Sequence, residues 1–420
     1  MTATSQKPST GLAFAAVTSL FFAWGFITSN NDPLIVALRA AFSLDYTEAL
    51  LTQIVFFVAY GLLSLPAAWL TSRIGSIDMI LWSLGLMALG CLLVVGSTNF
   101  AAFWPILTAL FVLASGYTAL QVAANPLAAD LGRPERSHFR LNLAQAFNSL
   151  GVVVGVHFGS VVMLGGPVVH SSGAFLGAVD HAFLIMTGML AALLLIFASM
   201  RRFLIRAAPH ALTAPSGMFD AMSSRWAVFG AAAIGLYVGA EVSIGSIMIN
   251  FLNQPNVLGL SLEDAGGYLA NFYWGGALCG RIVGTLLLTR VRATWLLALC
   301  GFTAALLCVT VLATDGPIAG FAALAIGFFN SIMFPTIFTL TLERSGVSQS
   351  ATSGLLCLAI FGGALLPIAV GAIADGFGLG TSFIVPLAAY LFIALFAVAA
   401  RRESTDDSFA EAPATGSPIP

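Results

Sequence analysis

Two carboxylic acids stand inside long apolar runs: Asp32 in FITSNNDPLIVAL and Glu241 in GLYVGAEVSIGSIM. An acidic side chain at the centre of a membrane helix costs on the order of 2.5–3.5 kcal/mol, so it normally faces water or a partner and marks a pathway. A carboxyl placed there can take up and release a proton, or its oxygens can hold a hard cation such as sodium. The bland alternative is a carboxyl that only holds helices together. Pro33 follows Asp32 directly. Lacking a backbone N–H, it tends to break a helix at that point, which would turn Asn30, Asn31 and Asp32 toward a cavity.

Amides form the second group. Gln53, Gln121, Asn125, Gln145, Asn148, Asn271 and Asn330 all lie within apolar runs. Gln121 and Asn125 are four apart and Gln145 and Asn148 three apart, so each pair shares a helix face. An amide carries both donors and acceptors, which suits the vicinal hydroxyls of a sugar. For any single amide the alternative is a hydrogen bond between helices. Trp24, Tyr273 and Trp274 lie near this polar set and offer rings for the apolar face of a sugar. His157, among small residues, reads as packed rather than as a proton relay. Cys91, Cys279, Cys300, Cys308 and Cys357 lie in apolar segments without metal or pair spacing and read as small packing residues, so no metal site, cofactor or disulfide framework is expected. Neither HExxH nor GxSxG occurs, which argues against an intramembrane hydrolase, and no sizeable soluble output domain marks a receptor.

The elements that position these residues follow from composition. Of 420 residues, 59% are apolar and 8% charged, against roughly a quarter charged in an average soluble domain. Such a chain has the bilayer as its solvent. A hydrocarbon core about 30 Å thick needs roughly 20 apolar helical residues per crossing. Apolar runs predict spans at 12–40, 49–71, 78–96, 101–127, 141–164 and 180–200, then at 226–251, 262–289, 294–312, 318–342, 352–374 and 382–400. The expected organisation is a tail at 1–11, a six-helix bundle at 12–200, a linker at 201–225, a second bundle at 226–400 and a disordered tail at 401–420. With 16 basic and 18 acidic residues there is no basic face for nucleic acid.

In this layout every basic residue except Arg39 and Arg281 falls on one side, and Arg281 lies within a span. Short cytoplasmic loops accumulate Lys and Arg, so both termini and the linker are expected in the cytoplasm of a multi-pass cell-membrane protein, a monomer in lipid. An offset of 209 residues carries Asp32 onto Glu241 and Pro126 onto Pro335. With six spans in each half, this favours two parallel repeats with pseudo-two-fold symmetry and a substrate site between them at the midplane. The fifth and eighth spans each carry glycines four apart, Gly151, Gly155 and Gly159, and Gly276, Gly280 and Gly284. Such stripes let backbones approach closely, either as static packing or as a smooth surface on which the halves rock.

Eight blocks from the first to the eleventh span, FFAWGFITSNND, QIVFFVAYGLLSLPA, LQVAANPLAADLG, RLNLAQAFNSLG, YVGAEVSIGS, YWGGALCGR, FNSIMFPTIFTL and SGLLCLAIFGGALLP, together resemble the fucose/galactose/glucose:cation symporter family of the major facilitator superfamily. The resemblance implies an all-α membrane fold of twelve transmembrane helices in two six-helix bundles, and alternating access that moves a hexose with protons or sodium. In that family's fucose permeases an aspartate matching Asp32 and a glutamate in an E-x-A-A-N-P motif serve coupling and sugar binding. Here Asp32 is kept and Gln121 stands in place of the glutamate, as in the Q-x-A-A-N-P motif of the glucose/galactose branch, which Glu241 in YVGAE also fits.

The expected activity is sugar:cation symport, with a proton or sodium as the coupling ion and no enzyme chemistry. Asp32 is the expected proton carrier and Glu241 a second coupling residue or an acceptor for a sugar hydroxyl. The sugar is expected among Asn30, Asn31, Gln53, Gln121, Asn125, Gln145, Asn148, Glu241, Asn271, Tyr273, Trp274 and Asn330. A uniporter or exporter of another small polar metabolite on the same fold is the alternative.

Overall fold

A computed structural model describes residues 10–43, 46–100, 102–164, 172–208 and 216–410. In the first half, α1 (Thr10–Ser29) and α2 (Asn31–Phe42) make one span, followed by α3 (Tyr46–Ile74), α4 (Ser76–Thr98) and α5 (Phe103–Asp130). A 3-10 turn (Pro134–Arg136), α6 (Ser137–Gly159) and a π-helical turn (Ser160–Leu164) form the fifth span, and α7 (Ser172–Ala207) the sixth. The second half opens with α8 (Arg225–Asn253). Its next span is in three consecutive pieces: α9 (Leu262–Tyr268), a π-helical stretch (Leu269–Trp274) and α10 (Gly275–Leu287). Then come α11 (Ala293–Ala313), α12 (Gly316–Asn330) with α13 (Met333–Arg344), α14 (Gln349–Ala359) with α15 (Gly362–Phe377), and α16 (Ile384–Ala410). Helix continues through 401–410, ten residues past the predicted end of the last span.

Among the described residues, eleven stretches are long and apolar enough to cross a membrane. The one predicted span outside this set is the eighth, whose helix changes pitch at the π-helical stretch. Large apolar side chains such as Leu62, Trp82, Trp104, Leu195 and Phe377 are exposed, as a lipid-facing surface requires. Buried hydroxyls return to their own helix: Thr18 donates to the Phe14 carbonyl at 2.7 Å and Ser243 to that of Gly239 at 2.6 Å. Where no water is at hand, such internal satisfaction is obligatory.

The breaks are local chemistry. At the first, the Asn30 N–H turns to the Ile27 carbonyl at 3.2 Å, and the Asn30 side-chain amide takes the Phe26 carbonyl at 2.6 Å. Pro33 then falls in the first turn of α2, where its missing N–H costs nothing. The same device recurs at the α12–α13 break, where Pro335 lies in the first turn of α13.

Within the first bundle α1 packs on α6, and α4 on α5 and α7; within the second, α11 packs on α12 and α16, and α8 on α15 and α16. The bundles meet where α3 and α5 touch α14, and where α6 touches α10 and α13. The two glycine stripes do not lie on that joint. A Cβ at Gly151 or Gly155 would collide with the Phe22 or Phe26 carbonyl of α1, and one at Gly159 would sit 2.5 Å from Asn30 Oδ1. In the second half, Gly280 and Gly284 abut Phe328 on α12 and Ile332 at its end. The rocking-surface expectation is therefore corrected: each stripe brings backbones together inside its own bundle. The small-residue contact between bundles is instead Gly354 of α14 against Ala68 and Ser64 of α3.

Candidate functional site

A cavity of about 310 Å³ lies between the bundles. Its first-half wall includes Trp24, Tyr60, Gln121, Gln145, Asn148 and Ser149; its second-half wall includes Tyr237, Glu241, Trp274, Leu278, Arg281 and Phe334. Mostly apolar and aromatic walls with a few convergent polar groups are the usual make-up of a small-molecule site, and the volume is at the lower end of that range.

Glu241 lies in α8, one turn beyond Tyr237, whose hydroxyl donates to its Oε1 at 2.7 Å. Arg281, on α10, lines the same cavity and spans the joint. Its Nε donates to the Ser331 carbonyl at 2.9 Å, and its Nη1 to the Gln145 carbonyl at 3.3 Å and to Ser149 Oγ. One acid and one guanidinium thus face a single chamber. Gln121, only 4% exposed, presents its amide beside Cys357 of α14, with Sγ 3.8 Å from Oε1. Asn148 donates to the Phe21 carbonyl at 3.0 Å.

The remaining predicted residues are placed differently. Asn31 and Gln53 line a second, smaller cavity of about 170 Å³ with Thr28, Phe56, Phe57 and Tyr117; Tyr60 is common to both cavities. Asn30 is buried at the α1–α2 break, where its amide serves the Phe26 carbonyl. Asn125 is fully buried, accepting from Gln145 Nε2 at 3.4 Å. Tyr273 and Asn330 are buried against each other, Asn330 Nδ2 donating to the Tyr273 hydroxyl at 3.0 Å. Asn271 is exposed and lines neither cavity, because the π-helical stretch that carries it shifts the register that α-periodicity would give. The side chain of Asp32 lies outside the described residues. His157 and Cys279, expected to be packed, are both exposed.

Several wall residues were not anticipated from the sequence, among them Arg281, Tyr237 and Tyr60. Arg281 carried the same signal as the acids, a charge within an apolar run. Tyr237 was marked by its position one turn before Glu241. Tyr60 gave no sequence signal beyond its type.

The bundles are fastened on one side of this chamber. That side is the end carrying Thr10, the connection between halves and Arg401; it is called the terminal end below. Among the described residues, the cross-bundle hydrogen bonds run from the chamber floor at Arg281 and Gln121 to that end. They include Asn142 Nδ2 to Thr336 Oγ1 at 3.3 Å, Ser353 Oγ to the Val122 carbonyl at 2.7 Å and Gln349 Nε2 to Asp130 at 3.1 Å. Among the described residues, the polar contacts that join the bundles thus lie on the terminal side of the chamber.

The Major Facilitator Superfamily profile matches residues 12–359. The chain belongs to that superfamily. It is 43% identical over 395 residues to the glucose/galactose transporter of Brucella abortus biovar 1 (strain 9-941), covering 94% of this chain and 95% of that protein. It is 30% identical over 419 residues to the L-fucose-proton symporter of Escherichia coli (strain K12), covering 93% and 94%. Its fold is similar to the crystal structure of FucP, a Major Facilitator Superfamily transporter in the outward conformation, with a TM-score of 0.84, 26% identity, and coverage of 92% of this chain and 98% of that one.

Proposed function

We propose that this chain is a secondary transporter that carries a hexose of the glucose or galactose type together with a cation, a proton first among the candidates, by alternating access. The observation that carries the reading is the chamber itself: Glu241, Gln121, Gln145 and Asn148 converge on one cavity shared by both bundles, between two tryptophans, and the bundles are fastened on one side of it. Amides and a carboxyl supply the donors and acceptors that a ring of hydroxyls demands. Relatives that bear the names of a glucose/galactose transporter and an L-fucose-proton symporter support the solute class. On this reading Asp32 carries the coupling proton and the protein sits in the cell membrane as a monomer with both termini in the cytoplasm.

Uptake of radiolabelled glucose and galactose into proteoliposomes, with and without an imposed pH or sodium gradient, tests it. Accumulation driven by a pH gradient is the expected result, and Asp32→Asn should abolish accumulation while sparing exchange. Uptake that only equilibrates under every gradient would leave a uniporter; accumulation driven by sodium alone would move the coupling role to that ion.

A further inference from the structure

The terminal end is held by three side-chain contacts that read up α6 and back down α13: Ser137 to Glu343, His138 to Thr339 and Asn142 to Thr336. The middle one is unlike the others because one of its groups, the imidazole, can gain or lose a charge. His138 Nδ1 lies 2.6 Å from Thr339 Oγ1, and its Nε2 lies 3.4 Å from Glu343 Oε2.

The Thr339 hydroxyl has one hydrogen, and that hydrogen is directed to the Pro335 carbonyl at 2.8 Å. Toward His138 it therefore presents a lone pair. Glu343 accepts from Ser137 Oγ at 2.6 Å on Oε1 and lies 3.6 Å from Arg344 Nη1 on Oε2, as an ionised carboxylate does. Both imidazole nitrogens thus meet acceptors. A neutral imidazole protonated on Nε2 would need the Thr339 hydrogen turned from the Pro335 carbonyl to its Nδ1, whereas an imidazolium donates to both acceptors with that bond kept and sets a positive charge opposite the Glu343 carboxylate.

Both acceptors belong to the opposite bundle, so they are withdrawn when the bundles part at this end. Other charged groups on the elements packed around α6 do not replace them. Arg140, on α6 itself, donates to the carbonyls of Ala128, Ala129 and Arg133; Asp130 ends α5 and accepts from Gln349; Glu135 and Arg136 lie on the 3-10 turn; Arg281 is at the chamber floor. We propose that His138 is a proton-operated lock on the terminal end: acidity there holds the bundles shut, and deprotonation frees them to open. A group that binds its proton in one conformation and releases it in the other biases the equilibrium between them. Histidine is the side chain most often recruited where protonation has to change between two conformations. In a carrier that admits protons this would be a brake, since acidification of the terminal compartment would hold that end closed. The inference rests on alternating access but on neither the solute nor Asp32 and Glu241.

The test uses the full chain in lipid nanodiscs, without sugar. Spin labels at Arg206→Cys and Arg292→Cys, in a Cys279→Ser background, report the distance across the terminal end by pulsed EPR. As pH rises from about 5.5 to about 8, the closed-to-open ratio should fall by up to about tenfold per unit, the limit for one linked proton. His138→Gln should flatten that slope. A slope unchanged in His138→Gln, or a wild-type ratio that is constant or rises with pH, overturns the lock. If His138→Gln does not fold, histidine-selective 15N NMR of the wild type reads the ring directly. Two protonated nitrogens at pH 5.5 are expected, and a single one overturns the proposal. Failure here leaves sugar symport standing, and failure of sugar uptake leaves this measurement intact.

Discussion

Gly354 gives the sharpest handle on the joint between the bundles. A Cβ added there would collide with the Ala68 Cβ and lie 3.1 Å from the Ser64 carbonyl, both on α3 of the opposite bundle. Neither a backbone carbonyl nor a single methyl can swing aside, so relief comes only by moving the bundles apart at the terminal end. Overpacking of this kind costs about 1–3 kcal/mol. The clash exists only in the closed form, so the whole cost appears as a shift of about 5- to 150-fold toward the form open at that end. Gly354→Ala should give the lower part of that range and Gly354→Val the upper. Distances between spin labels at Arg206→Cys and Arg292→Cys, in a Cys279→Ser background, should lengthen in that order. Net uptake should fall while the protein remains folded. Two variants with the wild-type distance distribution would refute the claim that this contact governs closure, as would a distance that shortens.

Tyr237→Phe removes the donor to Glu241 while keeping the ring; leaving a buried acceptor unpartnered costs about 1–3 kcal/mol, so sugar affinity should weaken about fivefold or more in isothermal titration. Tyr273→Phe breaks the buried contact with Asn330 outside both cavities; it should lower the melting temperature through a loss of about 1–3 kcal/mol and leave sugar affinity within about twofold. Gly155→Leu drives a side chain into α1 at Phe26 within the first bundle, and should abolish recovery of folded, monodisperse protein in size-exclusion chromatography, whereas Gly96→Ala, which meets open space, should behave as the wild type.

The spans were legible in the sequence because lipid allows few alternatives to a long apolar helix. Glu241, Gln121, Gln145, Asn148 and Trp274 were legible as cavity residues because a polar group in an apolar run must be answered by something. What answers it was not legible. Asn30 is met by a carbonyl of its own helix, Asn125 by Gln145 one helix away, and Asn330 by Tyr273 from a different span. Such partners come together only through tertiary packing, to which residue type and spacing are blind. The same limit explains Asn31 and Gln53, which share a smaller chamber beyond Tyr60. Asn271 was lost to a local change of helical pitch. The glycine stripes were read correctly as close-approach surfaces, but nothing in their spacing says which neighbour approaches.

Those stripes join α6 to α1 in one half and α10 to α12 in the other, so each ties helices together inside its own bundle. Along the helices that meet across the joint, α3, α6, α13 and α14, the contacts nearest the terminal end, at Ser137, His138, Asn142, Gln349 and Gly354, are separate from the chamber wall, whereas Gln145, Ser149 and Arg281 serve both. Exchanging cargo by repainting the rest of the chamber wall therefore leaves the terminal-end contacts as they are, for evolution and for an engineer alike.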